Sequence, residues 1–170
     1  VPFLVFARPN GLSLHDRLRM KPVPTLNQKI EIMIGNLELL GRFHKAGWLL
    51  LDFNFEKLLW SAEFNAASVL DASSALRKAK DGIVAKLPPK GIAYCSPEQT
   101  GRSNRRIDER SDVYSSGMMF YQLLTGRPPV DPSDIMHAVH FHMAFTIPKL
   151  NLPDSDISEV LDQVLERMTA

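Results

Sequence analysis

The segment "TLNQKIEIMIGNLELLGRFHKAG", residues 25–47, has the clearest pattern of apolar and polar positions in the chain. Apolar residues recur there at intervals of three and four, the spacing of one helix face: Ile30, Met33, Ile34, Leu37 and Leu40. Thr25 and Gln28 have the spacing of a capping box, and Gly47 stands where a glycine commonly ends a helix. The pattern therefore predicts a long capped helix.

Three more helices are predicted in the second half of the chain. "SDVYSSGMMFYQLLTG" ends at Gly126 and is apolar at Val113, Gly117, Phe120, Tyr121 and Leu124. Residues 133–145 form the next predicted helix. Residues 156–168 form the last one, with an apolar face at Val160, Leu161, Val164, Leu165 and Met168.

Short apolar runs predict strands at residues 1–7, 57–60 and 68–70, the last two flanking the turn-like "SAEFNA". Periodicity is absent from residues 71–93, where "RKAKDGIVAKLPPKG" indicates an exposed basic loop. A strand, a helix, a small hairpin, a long loop and then only helices predict an α+β fold that is mainly helical.

The net charge, the cysteine count and the length of the apolar runs limit which kinds of protein this chain can be. A formal net charge of +1 over 170 residues does not indicate a surface for nucleic acid. The single Cys95 excludes an internal disulfide and fits a reducing, cytoplasmic location. No apolar run is long enough to span a bilayer. Because the chain opens at Val1 in mid-pattern, we expect a piece of a longer protein.

One carboxylate, Asp52, lies between apolar runs in "FHKAGWLLLDFNFEKLLW". It could be a catalytic base on a tight loop or a polar residue that ends a strand, and the local pattern leaves both interpretations open.

The downstream motifs resemble the C-terminal lobe of a eukaryotic-type protein kinase. In "YCSPEQTGRSNRRIDERSDVYSSGMMFYQLLTGRPP", the Ser-Pro-Glu ending at Glu98 is similar to the kinase A-P-E motif. Asp112 to Gly117 resembles the D-x-[WY]-S-x-G that starts the central helix of that lobe. The resemblance covers nearly all of residues 1–170 and implies a hinge and C-lobe without the N-lobe. In the family, Glu98 and Asp112 occupy structural positions that anchor the activation segment and the catalytic loop.

The form of these motifs, with "HAVHFHMA" downstream, is similar to one branch of the family. That branch consists of kinase-like domains in large bacterial and fungal multi-domain sensor histidine kinases, usually followed by an AAA-type ATPase and GAF modules. The resemblance implies that such modules of the same polypeptide are the partners of this domain.

The aligned catalytic loop H-R-D-x-x-x-x-N has lost most of its polar groups. Asp52 keeps the base position, but Leu50 and Leu51 replace the His and Arg, and Asn54 replaces the usual lysine. Lys57 replaces the metal-binding Asn and brings a positive charge to a ligand position. That charge could instead partly replace the metal beside a phosphate.

The D-F-G position reads Asp71-Ala72-Ser73, so Asp71 keeps the carboxylate that would hold Mg²⁺. Residues 75–93 contain no Ser, Thr or Tyr, which excludes activation by phosphorylation within that stretch. The resemblance also implies an ATP site in which the backbones of Phe6 and Ala7 meet the adenine and Leu59 forms its floor.

A zinc site at His137, His140 and His142 is a weaker alternative to their being ordinary helix residues, because only the first two share a face. The resemblance and the lost polar groups together predict a regulatory pseudokinase module that transfers phosphate poorly or not at all, with ATP and Mg²⁺ as its possible ligands. Two alternatives remain: an active Ser/Thr kinase that uses Asp52 as base, and an interaction scaffold that binds no nucleotide.

Overall fold

The computed structural model describes residues 12–19, 21–61, 66–78, 91–144, 146–153 and 155–170. The strand predicted at residues 1–7 lies outside these ranges. The elements in chain order are β1 (Leu12–Ser13), α1 (Leu14–Arg19), α2 (Leu26–Lys45), β2 (Trp48–Leu49), β3 (Leu58–Ser61), β4 (Ala66–Val69), β5 (Leu76–Arg77), α3 (Glu109–Thr125), α4 (Ile135–Ala144) and α5 (Ser155–Met168). Two short 3₁₀ turns, Ile92–Tyr94 and Pro97–Thr100, precede α3. None of the described helices is long and apolar enough to cross a membrane.

Helix α2 begins and ends where its sequence predicts. The Thr25 hydroxyl accepts a hydrogen bond from the Gln28 amide, the Gln28 side chain accepts one from the Thr25 amide, and Gly47 follows the helix at φ 82°. The predicted buried face is only partly right, because Ile34 and Leu37 are 53% and 37% exposed. The apolar run from residue 32 to residue 34 fits two helix phases, and packing selects the one that buries residues 32 and 33.

Helix α3 is the centre of the domain and is buried on almost every side. It begins after Asp108, whose carboxylate accepts the amide of Arg110, and ends at Gly126 in the left-handed conformation. The Lys29 ammonium donates to the carbonyl of Leu124, so α2 also supplies a partner for the carboxyl end of α3.

Two small antiparallel sheets lie beside these helices. One has the order β1-β3-β4, with Leu59 opposite Ser68, and the other pairs β2 with β5. Helix α2 packs so closely on β3 that a Cβ added at Gly35 would lie 2.7 Å from the Trp60 ring. The second sheet brings the start of the loop after β4 beside the catalytic-loop segment.

Helix α5 corrects one prediction about which residues are buried. Leu161 and Leu165 are buried as expected, but Val160 and Val164 are 59% and 39% exposed. Each of these valines directly precedes a buried leucine, so the sequence alone does not decide which member of each apolar pair faces α3.

Candidate functional site

The turn between β2 and β3 carries the residues that the sequence aligns with a kinase catalytic loop, and helix α3 holds this turn in place. Both carboxylate oxygens of the fully buried Asp112 accept hydrogen bonds: Oδ1 from the Leu51 amide at 2.8 Å, and Oδ2 from the Leu50 amide at 2.9 Å and from His44 Nε2 at 2.8 Å. A buried carboxylate is tolerated where several donors surround it. Asp112 therefore fixes the backbone of this turn.

Leu51 has φ 61°, a left-handed conformation that costs a β-carbon residue about 1–2 kcal/mol. Its amide donates to Asp112, its carbonyl accepts Gln99 Nε2, and its side chain joins a small buried cluster with Leu49 and Ile107. Where a kinase loop carries an arginine, this chain has an apolar side chain that is already packed.

Asp52 is buried, and each of its carboxylate oxygens has a partner. Oδ1 accepts from Asn54 Nδ2 at 2.9 Å. Oδ2 lies 2.6 Å from Lys57 Nζ and 3.5 Å from the Ser74 hydroxyl. Asp52 is therefore held in an ion pair that a side-chain amide reinforces.

Lys57 lies between the two acidic positions of the site. Its ammonium nitrogen is 2.6 Å from Asp52 Oδ2, 3.3 Å from Asp71 Oδ2 and 3.2 Å from Ser74 Oγ. An ammonium has three N–H donors, and three oxygens of this protein surround this one. The side chain replaces the Asn of the family motif with a charge that bridges two separate segments of chain.

The directions in which the pKa values of Lys57 and Asp71 shift agree with this geometry. Partial burial by itself would lower the pKa of Lys57, but the hydrogen bonds and charges of Asp52 and Asp71 raise it above its usual value. The pKa of Asp71 is lowered, first by the Ser73 amide and hydroxyl that donate to its carboxylate and then by Lys57. Both effects favour the charged forms.

The donor set does not fit a divalent ion as it stands. Mg²⁺ prefers oxygen ligands, and here an ammonium lies between Asp52 and Asp71 at hydrogen-bonding distances. Within the described ranges, no group of three or more His, Cys, Asp or Glu side chains could hold a metal ion. Asp71 as a metal ligand stays a prediction.

The predicted adenine positions are described only in part. Phe6 and Ala7 lie outside the described residues. Leu59 lies on β3, and its side chain is 1% exposed, so it presents no open surface in this structure. The role of all three in binding adenine stays a prediction.

Glu98 lies in the 3₁₀ turn Pro97–Thr100 and is buried. Its Oε1 accepts a hydrogen bond from the Ser111 hydroxyl at 2.5 Å, which ties the 3₁₀ turn Pro97–Thr100 to the first turn of α3. The neighbouring Gln99 was not singled out from the sequence. Its spacing from Ser96 is that of a capping box, and this is the signal that could have found it.

His142 belongs to a buried chain of hydrogen bonds that the sequence did not indicate. Its Nε2 lies 2.7 Å from the Ile92 carbonyl and its Nδ1 2.9 Å from the Tyr114 hydroxyl. Because a carbonyl can only accept, Nε2 carries the proton and Nδ1 accepts from the tyrosine. Burial lowers the pKa of His142, with the Ile92 carbonyl opposing it. The ring therefore links α4 to α3 and to the segment before Glu98.

Comparison with known proteins finds individual relatives, although no protein-family model matches the chain. The chain is 28% identical over 152 residues to the probable serine/threonine-protein kinase PknB of Bifidobacterium longum, which covers 85% of the chain and 21% of that protein. It is 30% identical over 146 residues to the serine/threonine-protein kinase PknB of Mycobacterium tuberculosis, which covers 84% of the chain and 23% of that protein.

A third relative is the hybrid signal transduction histidine kinase G of Dictyostelium discoideum, 37% identical over 75 residues. That match covers 44% of the chain and 2% of the relative. The chain thus spans less than a quarter of the length of each of these three proteins. Similarity to serine/threonine-protein kinases over most of the chain supports a protein kinase-like domain, and the mainly helical architecture fits the C-lobe of one.

Proposed function

We propose that this chain is a regulatory, kinase-like signalling domain with little or no phosphotransfer activity. The observation that carries the proposal is the ion pair between Lys57 and Asp52, with 2.6 Å between Nζ and Oδ2. Serine/threonine kinases as a class use ATP and Mg²⁺, and their catalytic Asp accepts the proton of the substrate hydroxyl. In this domain that Asp is already bound to a cation of its own chain.

The chemistry of a base explains why this pairing opposes catalysis. A general base must reach the proton it removes at hydrogen-bonding distance. A substrate hydroxyl at Asp52 would compete with Lys57 on one oxygen and with Asn54 on the other. Asn54 also lacks the positive charge that a lysine at its position would direct at a transferring phosphoryl group.

Two features of the chain also argue against control by phosphorylation of the activation segment. Leu51, at the position of the arginine that binds a phosphorylated residue, packs with Leu49 and Ile107. Residues 75–93 contain no hydroxyl side chain to be phosphorylated. We propose that the domain is instead controlled through contacts with other modules of a longer polypeptide.

The similarity to histidine kinase G supports a multi-domain signalling setting, although the match covers a small part of that protein. By resemblance, the neighbouring modules are an AAA-type ATPase, GAF modules and a histidine kinase. Residues 1–170 would form the hinge and C-lobe of the kinase-like domain. A cytoplasmic location, expected from the lone Cys95, stays part of the proposal.

The second candidate function is an active Ser/Thr kinase. Two relatives that match most of the chain bear that name, and Asp52 and Asp71 keep the two acidic positions of the active site. The third candidate is a scaffold that binds no nucleotide, which the burial of Leu59 favours.

Phosphotransfer from radiolabelled ATP to generic Ser/Thr protein substrates tests the proposal on the full-length protein. The matched control is Asp52→Asn. We expect the wild-type signal to equal that of the variant. Robust transfer that Asp52→Asn abolishes would overturn the proposal in favour of the active kinase. ATP binding with and without Mg²⁺, measured in parallel, separates the regulatory domain from the empty scaffold.

A further inference from the structure

The two acidic positions of the site come from segments far apart in the chain, and one side chain joins them. Asp52 lies in the turn before β3, and Asp71 follows β4. Lys57 Nζ lies 2.6 Å from the first carboxylate and 3.3 Å from the second. In the kinase motif, divalent ions are held by the acidic residue at the position of Asp71 and by the Asn at the position of Lys57, so this ammonium stands where a metal ligand would be.

We propose that Lys57 is a built-in cation that joins Asp52 to Asp71 in place of a divalent ion, so that the site neither needs nor binds one. The inference rests on the proposed function, because a kinase active site would require the metal that Lys57 excludes.

The charges in the cluster support this exclusion. Two carboxylates and one ammonium leave a net charge of −1 on Asp52, Lys57 and Asp71 together, against −2 for the two carboxylates without Lys57, so the ammonium weakens the attraction for a divalent ion. A divalent ion entering between the carboxylates would lie a few ångströms from the ammonium, and the repulsion at that distance is strong in a partly buried site. Lys57 would have to leave before an ion could take its place.

The hydrogen bonds of the Lys57 ammonium also oppose the binding of a metal ion. The three donors of the Lys57 ammonium have three acceptors within the protein: Asp52, Asp71 and Ser74. No donor is left over for a phosphate oxygen while these contacts persist. A metal-bound nucleotide would therefore have to break the whole cluster.

Binding of Mn²⁺ alone to this chain, measured by calorimetry and by the electron paramagnetic resonance of free Mn²⁺, tests the inference. The variant Lys57→Asn removes the charge and offers an amide oxygen beside Asp71. We expect wild type to bind Mn²⁺ at least about tenfold more weakly than Lys57→Asn. The double variant Lys57→Asn with Asp71→Asn should lose the gained affinity. Lys149→Asn, which removes an exposed ion pair with Glu166, is the control for loss of a positive charge elsewhere.

Wild-type affinity for Mn²⁺ equal to that of Lys57→Asn would overturn the inference, and so would a folded Lys57→Asn that gains no affinity. If Lys57→Asn does not fold, the inference is tested on the melting temperature of the wild-type protein instead. A melting temperature unchanged by EDTA and by excess Mn²⁺ then supports the inference, and a rise with Mn²⁺ that Asp71→Asn abolishes overturns it.

The test is separate from that of the proposed function, since no phosphotransfer is measured. Wild type that binds Mn²⁺ at Asp71 and transfers no phosphate defeats the inference alone. Wild type that transfers phosphate but does not bind Mn²⁺ defeats the proposed function alone.

Discussion

The amide of Leu51 donates to Oδ1 of Asp112 across 2.8 Å, so a carboxylate buried in the central helix fixes a leucine in the left-handed region of backbone space. The geometry of the loop is thus maintained from α3, independently of what its side chains can do. The turn therefore keeps its shape although the side chains of Leu50 and Leu51 are apolar.

Asp112→Asn tests that support. The variant keeps one oxygen acceptor but turns an amide N–H₂ toward a backbone N–H, which leaves buried donors unsatisfied. We expect a loss of about 2–4 kcal/mol in the free energy of unfolding, measured with urea. Asp131→Asn, at an exposed aspartate that accepts the Ser133 amide, should change it by less than about 0.5 kcal/mol. Equal losses in the free energy of unfolding for the two variants would show that Asp112 stabilises the fold no more than an exposed aspartate does.

Leu51→Arg restores the residue type of the family motif. Because the side chain packs with Leu49 and Ile107, an arginine there would bury a charge in an apolar cluster. We expect about 2 kcal/mol or more of destabilisation by urea unfolding. Leu76→Arg, at an exposed leucine of β5 opposite Leu49, is the control and should be close to neutral. A neutral Leu51→Arg would mean that a pocket for the guanidinium still exists.

Lys57→Met removes the cation and keeps much of the side chain's volume. Asp52 is then a buried carboxylate without a counter-charge, and we expect a loss of about 1–3 kcal/mol at neutral pH. Lys149→Met removes a pair whose side chains are largely exposed and should cost at most about 1 kcal/mol. Urea unfolding of both variants gives the comparison. A more stable Lys57→Met would mean that the ion pair is retained for a reason other than stability.

His142 makes the stability of the domain depend on pH. Its pKa is lowered in the folded state by burial, so the folded protein favours the neutral ring. Its contribution is complete above the unfolded-chain pKa of about 6.5 and declines as the pH falls below that value. In melting experiments from pH 7.5 to pH 5, about the range in which histidine titrates, His142→Gln should lose less stability on acidification than wild type. The same slope in His142→Gln as in wild type would contradict this assignment.

Cys95 should be chemically inert in the folded protein. Burial, with the charge of Glu98 adding to it, raises the pKa of the thiol to about 12, and the side chain is buried. We expect no reaction with a disulfide reagent at neutral pH until urea unfolds the chain. Thr146→Cys, which adds a thiol at an exposed position, is the positive control. Rapid modification of Cys95 in the native protein would contradict the described packing.

The helices could be predicted because their signals are local. Thr25, Gln28 and Gly47 mark the ends of α2 within a few residues of sequence, and the structure confirms them. The buried face of a helix is less local. Val160 and Leu161 are adjacent and both apolar, so only the position of α3 decides that the leucine is buried and the valine exposed.

The sequence proposes residues for the candidate site, but it does not show which of them contact one another. The substitution at Lys57 indicates a charge at a ligand position, whereas its contact with Asp71 depends on how β3, β4 and the following turn are arranged in space. His142 is 50 residues from Ile92 in the chain, and burial of the ring against that carbonyl follows from tertiary packing alone. Histidine spacing within α4 carried no sign of it.

A bound ion exchanges with solution, and its occupancy follows the concentration of that ion in the surroundings. The ammonium of Lys57 is attached to the chain by covalent bonds, so its occupancy is fixed for as long as the chain is folded and the lysine stays charged. Under the proposal that Lys57 takes the place of a divalent ion, the junction between Asp52 and Asp71 does not follow the supply of magnesium.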